Sequence, residues 1–303
     1  MKKVNELIKL PEVKTIFNLF NNNQGIYLVG GCIRDTLSAK EVTDIDFAID
    51  IDPEEVVKTL SNNNIKFYDI GINYGTVTAV IDSKNYEITS LREDIETDGR
   101  HAKVKYTSDI KADSLRRDFT INAIYANRDG ELFDFHNGID DIENRNLKFI
   151  GSANDRVKED YLRILRYFRF YADFSNFEID ANLKKVFKEG SKNFSKISKE
   201  RIWTELKKII NQNNSFKSLS MMNEANILIE ISKDISFIKD YLKISYIENK
   251  INKPIDYLLK FSILLESSEY NANNFIEQFP ISNEEAENLR TFINLDLSIK
   301  SYL

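Results

Sequence analysis

Strand-like hydrophobic runs are confined to the first half of this 303-residue chain and stop near residue 150. Short apolar stretches at 26–29, 45–49, 66–70, 76–81 and 86–91 are separated by turn residues and by a helical pattern after Pro53. From about Asn154 onward the apolar residues recur at helical spacing instead. The expected fold class is therefore α+β: a head with a small mixed sheet, followed by an all-α neck and body. The expected boundaries are 1–145 for the head, 146–210 for the neck and 211–303 for the body. The first 25 residues read as one amphipathic helix ending at the polar turn Asn21-Asn22-Asn23-Gln24-Gly25.

Composition narrows the partners. No stretch approaches the roughly 20 apolar residues that span a bilayer, so no membrane partner is expected. A single cysteine, Cys32, leaves no internal disulfide framework and points to a reducing cytoplasm. Cys32 itself reads as a small residue in a tight place. His101 and His136 lack Cys or His partners at ligand spacing, so no zinc site is expected. The formal net charge of −6 argues against nucleic acid when read globally. Locally, residues 155–208 hold fourteen Lys/Arg against nine Asp/Glu, a net of +5, which leaves −11 on the rest. A basic middle between acidic flanks can hold a phosphate backbone, although a solvated helical face explains the same charges.

The stretch VGGCIRDTLSAKEVTDIDFAI, residues 29–49, carries the first chemistry. Gly30 and Gly31 follow an apolar strand and precede a helical stretch. Glycine lets backbone approach a ligand, and a helix start offers free N–H groups to phosphate. Arg34 can reach a phosphate oxygen, whereas Asp35 can simply brace it. On a strand, Asp44 and Asp46 point to one face while Ile45, Phe47 and Ile49 pack inward. Two carboxylates so close repel unless a cation neutralises them, and Mg²⁺ does so while keeping positions for substrate phosphates. A glycine turn followed by an edge strand with two solvated acids is the competing reading.

Together these residues resemble the GG-x-x-RD…DxD motif of the nucleotidyltransferase superfamily, in the form used by class II tRNA nucleotidyltransferases (CCA-adding enzymes) and bacterial poly(A) polymerases. Residues 116–123, RRDFTINA, are similar to a second family motif. Glu159-Asp160-Tyr161-Leu162-Arg163, continuing to Arg166 and Arg169, resembles its nucleotide-selecting EDxxR helix. Residues 197–201, ISKER, continuing to Glu205-Leu206, resemble a later neck motif. The resemblance covers about residues 25–210 and fades beyond; the helical part after it is shorter than in many family members.

The resemblance implies template-independent addition of C, C and A to a tRNA 3′ end from CTP and ATP, with partial CC- or A-addition, poly(A) synthesis and a non-catalytic RNA-binding relative as alternatives. It implies that Asp44 and Asp46 hold metal and that Gly30, Gly31, Arg34 and Arg117 grip phosphates. Asp118 would meet a ribose hydroxyl and Asn122 either group; a helix start capped by Asp118, with Phe119, Ile121 and Ala123 in the core, is equally compatible. Glu87, on the strand at 86–91, is the candidate third carboxylate, with a solvated strand residue as the alternative. On a helix from Asn154 to Asp173, Val157, Tyr161, Ile164, Leu165, Phe168 and Ala172 make a core stripe. Glu159, Arg163 and Arg166 lie opposite, with Asp160 and Arg169 at the edges. An Asp accepts from an exocyclic amine and an Arg donates to the ring acceptor beside it, so Asp160 and Arg163 can select A and C. Arg166 and Arg169 would support them; a salt-bridged surface helix is the alternative. DNA is not an expected partner. Residues 96–113, ETDGRHAKVKYTSDIKAD, read as a mobile insertion; in the family a loop at this place accompanies the switch from C to A.

Overall fold

The computed structural model describes residues 2–20, 23–98, 101–176, 178–212, 214–237, 240–251 and 253–294. Contacts divide the chain into two compact units, one ending at Ser152 and one beginning at Ala153. A neck distinct from a body remains a functional proposal within the second unit.

The first unit runs α1 (Lys2–Ile8), α2 (Pro11–Leu19), β1 (Ile26–Val29), α3 (Gly31–Leu37), β2 (Asp46–Ile49), α4 (Pro53–Asn62), β3 (Lys66–Tyr68), β4 (Thr76–Ile81) and β5 (Lys84–Ser90). It continues with β6 (Arg92–Asp98), β7 (His101–Tyr106), α5 (Ile110–Leu115), β8 (Ile124–Ala126), β9 (Leu132–Asp134) and α6 (Gly138–Glu143). Seven strands form one sheet in the order β3-β4-β5-β2-β1-β8-β9, while β6 pairs with β7 alone. β2 and β5 run parallel, and every other neighbouring pair is antiparallel. Phe47, Ala48 and Ile49 of β2 are all buried, because the sheet is covered on both faces there. Phe47 meets Phe17 of α2 edge-on at 5.5 Å. Ala48 lies with Val29, Leu91 and Tyr125 in a separate cluster.

Four expectations change. The N-terminal helix is two helices, because Pro11 starts α2 in its first turn, where a missing N–H breaks no helical bond. β2 begins at Asp46, not at residue 45: its pairing ends at Val29↔Asp46, where β1 turns away through Gly30 at φ +76°. The supposed mobile insertion is regular. β6 and β7 pair with Asp98 opposite His101, and α5 follows with Asp109 accepting from the Lys111 N–H at 2.8 Å. Gly99 and Arg100 lie outside the described residues. Finally, RRDFTINA starts no α-helix. Thr120–Asn122 makes one 3₁₀ turn that leads directly into β8.

The second unit is helical throughout its described residues: α7 (Ala153–Glu159), α8 (Leu162–Phe174), α9 (Ala181–Ser191), α10 (Lys199–Ile210), α11 (Ser215–Glu224), α12 (Ile227–Ile231), α13 (Asp240–Ile251), α14 (Tyr257–Leu264), α15 (Glu269–Gln278) and α16 (Asn283–Asn294), with a 3₁₀ turn at Phe194–Lys196. Nine residues of α8 are buried, so its apolar surface is wider than the expected stripe, and Tyr161 is only half-buried. Arg163, Arg166, Arg169 and Asp173 are the positions of α8 that stay partly exposed. Trp203 of α10 is buried against Phe261 at 5.1 Å and Phe275 at 5.5 Å. Within this unit Lys260, fully buried, is neutralised by Glu248 at 2.7 Å.

Candidate active site

In the first unit the acids gather at one edge of β2. Asp46 is in direct register with Glu87 of the parallel neighbour β5. Registered residues on strands about 4.8 Å apart project on the same face, so the two carboxylates are neighbours. Asp44 lies two residues ahead of Asp46, outside the strand and exposed, where the Thr43 hydroxyl donates to it at 3.2 Å. The carboxyl of Asp46 is pushed up to about 6, first by burial and then by the charges of Glu87 and Asp44, with Arg117 and Arg34 pulling the other way. A carboxyl raised by two other acids is short of positive charge, the condition a bound cation relieves. Among the described residues no three His, Cys, Asp or Glu side chains already converge as a metal cage.

The residues expected to bind phosphate sit near these acids, since Arg117 and Arg34 both act electrostatically on Asp46. Gly30, at φ +76°, occupies a backbone region that side chains rarely adopt, and a Cβ there would lie 3.5 Å from the Arg117 guanidinium. Gly31 opens α3 next to Arg34. Arg34 is held on one side by Asp35, with contacts of 2.9 and 2.7 Å, and on the other by Asn122 Oδ1 at 2.7 Å. Arg117 donates to the Tyr125 hydroxyl at 2.9 Å and pairs with the buried Asp113 at 3.2 Å. Asp113 also binds Arg116 at 2.8 Å. Against the push of burial, these two arginines hold the Asp113 carboxyl down to about 2, so it stays ionised. Asp118 Oδ1 accepts from the Phe119 N–H at 2.8 Å and from Asn122 Nδ2 at 3.0 Å. Cys32, fully buried, has its thiol pushed up to about 12 by burial and is inert.

In the second unit the expected continuous helix is broken at Asp160 and Tyr161. Asp160 Oδ1 accepts the Leu162 N–H at 3.1 Å, a short-range bond that competes with helix continuation. α7 therefore ends at Glu159 and α8 restarts at Leu162. The other oxygen of Asp160 pairs with Arg201 of α10 at 2.7 Å. Arg163 pairs with Glu159 and also donates to the Arg156 carbonyl at 3.1 Å. Arg163 and Arg156 hold the Glu159 carboxyl below its ordinary range, against the opposite push of burial. One turn after Arg166, Arg169 contacts buried Glu205 of α10 at 3.2 Å and lies over the Phe170 ring at 4.5 Å. Asp160 and Arg163 are thus preset by Arg201 and Glu159. Arg201 and Glu205 lie i, i+4 on one face of α10, and that spacing is the sequence signal for their shared contact with the Asp160–Arg169 segment.

Residues 26–148 match the Poly A polymerase head domain, and residues 176–238 match the probable RNA and SrmB-binding site of polymerase A. The mitochondrial CCA tRNA nucleotidyltransferase 1 of Danio rerio is 34% identical over 302 residues, covering 94% of this chain and 68% of that protein. The chain belongs to this nucleotidyltransferase family. The human mitochondrial enzyme of the same name is 42% identical over 202 residues, covering 65% of this chain and 46% of that protein. The chain therefore spans about half the length of this second relative. The Bacillus stearothermophilus CCA-adding enzyme in complex with CTP shares the fold, with a TM-score of 0.77 at 22% identity, covering 94% of this chain and 70% of that one. This is a family of metal-dependent nucleotidyltransferases. No helix among the described residues is long and apolar enough to cross a membrane.

Proposed function

We propose that this member of the family adds C, C and A to the 3′ end of tRNA from CTP and ATP, releasing pyrophosphate at each step. The observation that carries the reading is the registered pair Asp46 and Glu87 beside Arg34 and Arg117: anionic ligands for a cation next to cations for phosphate. Asp44 and Asp46, with Glu87 as third carboxylate, would hold Mg²⁺. Bound there, the ion supplies charge neutralisation on the triphosphate and a lowered pKa for the primer hydroxyl. The 3′ oxygen of the tRNA forms a bond to the α-phosphorus while the bond to the bridging oxygen breaks and pyrophosphate leaves. Arg34 and Arg117 bind the phosphates, Gly30 and Gly31 admit them close to backbone, and Asp118 orients the ribose. Asp160 and Arg163 choose the base, with Arg201 holding Asp160 and with Arg166 and Arg169 supporting the row. We place this work in the cytoplasm. Pyrophosphate release from CTP and ATP supplied together, and not from UTP and GTP, on tRNA lacking its last three nucleotides tests the reading.

Two further expectations arise here. The basic segment 155–208 makes tRNA affinity fall about tenfold or more between roughly 50 and 200 mM salt, through counterion release; binding that stays flat across this range removes the segment from the tRNA interface. The β6–β7 hairpin is proposed as the element that refits the pocket for the final A, a gating step separate from chemistry. Shortening it by about ten residues should spare CC addition and suppress the terminal A, read on sequencing gels. Unimpaired A addition leaves the hairpin without that role.

A further inference from the structure

We infer that the Tyr125 hydroxyl is a positioning group for Arg117. With Asp113 it turns one guanidinium nitrogen, Nη1, toward the Gly30 turn and so sets how tightly the triphosphate of the incoming nucleotide is held. The inference rests on the reading of Arg117 as a phosphate ligand. Tyr125 lies on β8 in register with Val29 of β1, the residue before Gly30. The Gly30 N–H donates to the carbonyl of Ile124, next to Tyr125, at 3.4 Å. β8 thus brings the tyrosine beside the glycine turn. Its ring is fully buried and meets Tyr27 edge-on at 6.3 Å. Packing fixes the ring, and the hydroxyl with it.

The hydroxyl closes a ring with Asp113 and Arg117. It donates to Asp113 Oδ2 at 2.7 Å, and Arg117 Nε donates to it at 2.9 Å. Arg117 Nε and Nη2 also reach Asp113 Oδ2, at 3.3 and 3.2 Å. A guanidinium only donates and a carboxylate only accepts, so the hydroxyl proton has one direction, toward Asp113. Asp113 is anchored in turn: its Oδ1 accepts from Arg116 Nε at 2.8 Å and from the Arg92 N–H at 3.1 Å. Two nitrogens of Arg117 are therefore occupied, while Nη1 makes no hydrogen bond to the described residues. A Cβ on Gly30 would lie 3.5 Å from that same Nη1. The nitrogen left over is the one at the turn expected to admit phosphate. The hydroxyl gives Arg117 its shortest contact, so losing it loosens the guanidinium, although the cation still lies over the ring at 5.1 Å.

Tyr125→Phe removes the hydroxyl and keeps the ring. It is compared with the native protein, Arg117→Ala and the double variant. The measurements are KM and kcat for CTP, the inhibition constant of inorganic tripolyphosphate, and the rise in melting temperature that tripolyphosphate produces. In Tyr125→Phe, KM for CTP and the tripolyphosphate inhibition constant should both rise about tenfold, the range of a hydrogen bond to a charged group, with kcat changing less. The double variant should bind tripolyphosphate no worse than Arg117→Ala alone, because a group that acts through Arg117 has nothing left to position. The melting shift is read at the unfolding transition itself, so it decides the question even if Tyr125→Phe unfolds below the assay temperature. A purely structural hydroxyl lowers the melting temperature and leaves both tripolyphosphate readings at the native value. That result, or losses that multiply in the double variant, overturns the positioning role while Arg117→Ala still weakens tripolyphosphate. Unchanged tripolyphosphate binding in Arg117→Ala removes the phosphate assignment itself, and the inference with it.

Discussion

Asp46→Asn is expected to reduce nucleotide addition by about 10³-fold or more, since the several kcal/mol a bound metal contributes to phosphoryl transfer is lost with its proposed ligand. The fold should survive. Phe47, Ala48 and Ile49 hold β2 in the sheet, while Asp46 sits among like charges from Glu87 and Asp44. The sign of the stability effect follows from the raised carboxyl. Its folded value of about 6 exceeds the ordinary 3.8 of an aspartate, so the unfolded chain gives up this proton more readily. In protein stripped of divalent cations, stability therefore declines as pH rises from about 4 to about 6 and stays lowered above that. Asn at 46 removes this decline. Its melting temperature at pH 7 to 8 should equal or exceed that of the stripped native protein, whereas added Mg²⁺ should raise the native melting temperature and leave the variant unmoved. A variant that melts early and loses activity for that reason would contradict the assignment.

The second large effect is on base choice. Asp160→Ala should lower the preference for ATP and CTP over UTP and GTP by about 10- to 100-fold, because the proposed acceptor for the exocyclic amine disappears. Arg201→Ala should act in the same direction more weakly, since it frees the Asp160 carboxylate, now fixed at 2.7 Å, to rotate. Arg201→Lys keeps the charge and should restore part of the preference, although not the fork geometry. The measurement is misincorporation of each nucleotide in single-nucleotide reactions. If both variants keep strict selection and merely melt earlier, the row on α7, α8 and α10 is a structural ion-pair network.

How much of this was legible in sequence depended on the range of the interactions involved. Local period and glycine placement were enough for β1, the helical second half, and the acids beside GG-x-x-RD. The break at Asp160 was not legible, because an aspartate inside a helical pattern reads as a polar surface residue until its bond to the Leu162 N–H is seen. β8 escaped for a related reason: Ile124–Ala126 is only three residues long, and its pairing with β1 is a long-range contact. The buried Asp113 sits in a polar stretch, and only the meeting of Arg116, Arg117 and Tyr125 around it explains its place. Glu87 could be picked as an acid on a neighbouring strand, but its register with Asp46 required the parallel β2–β5 pairing that no local pattern encodes.

Stepwise CCA addition is tested by sequencing the products. Purified protein is incubated with Mg²⁺ and tRNA that ends at the discriminator base, with CTP alone, ATP alone, or both. Two added C residues are expected with CTP alone, almost none with ATP alone, and a single CCA end with both. Long adenosine tails from ATP alone, formed as readily on generic RNA as on tRNA, would contradict stepwise CCA addition.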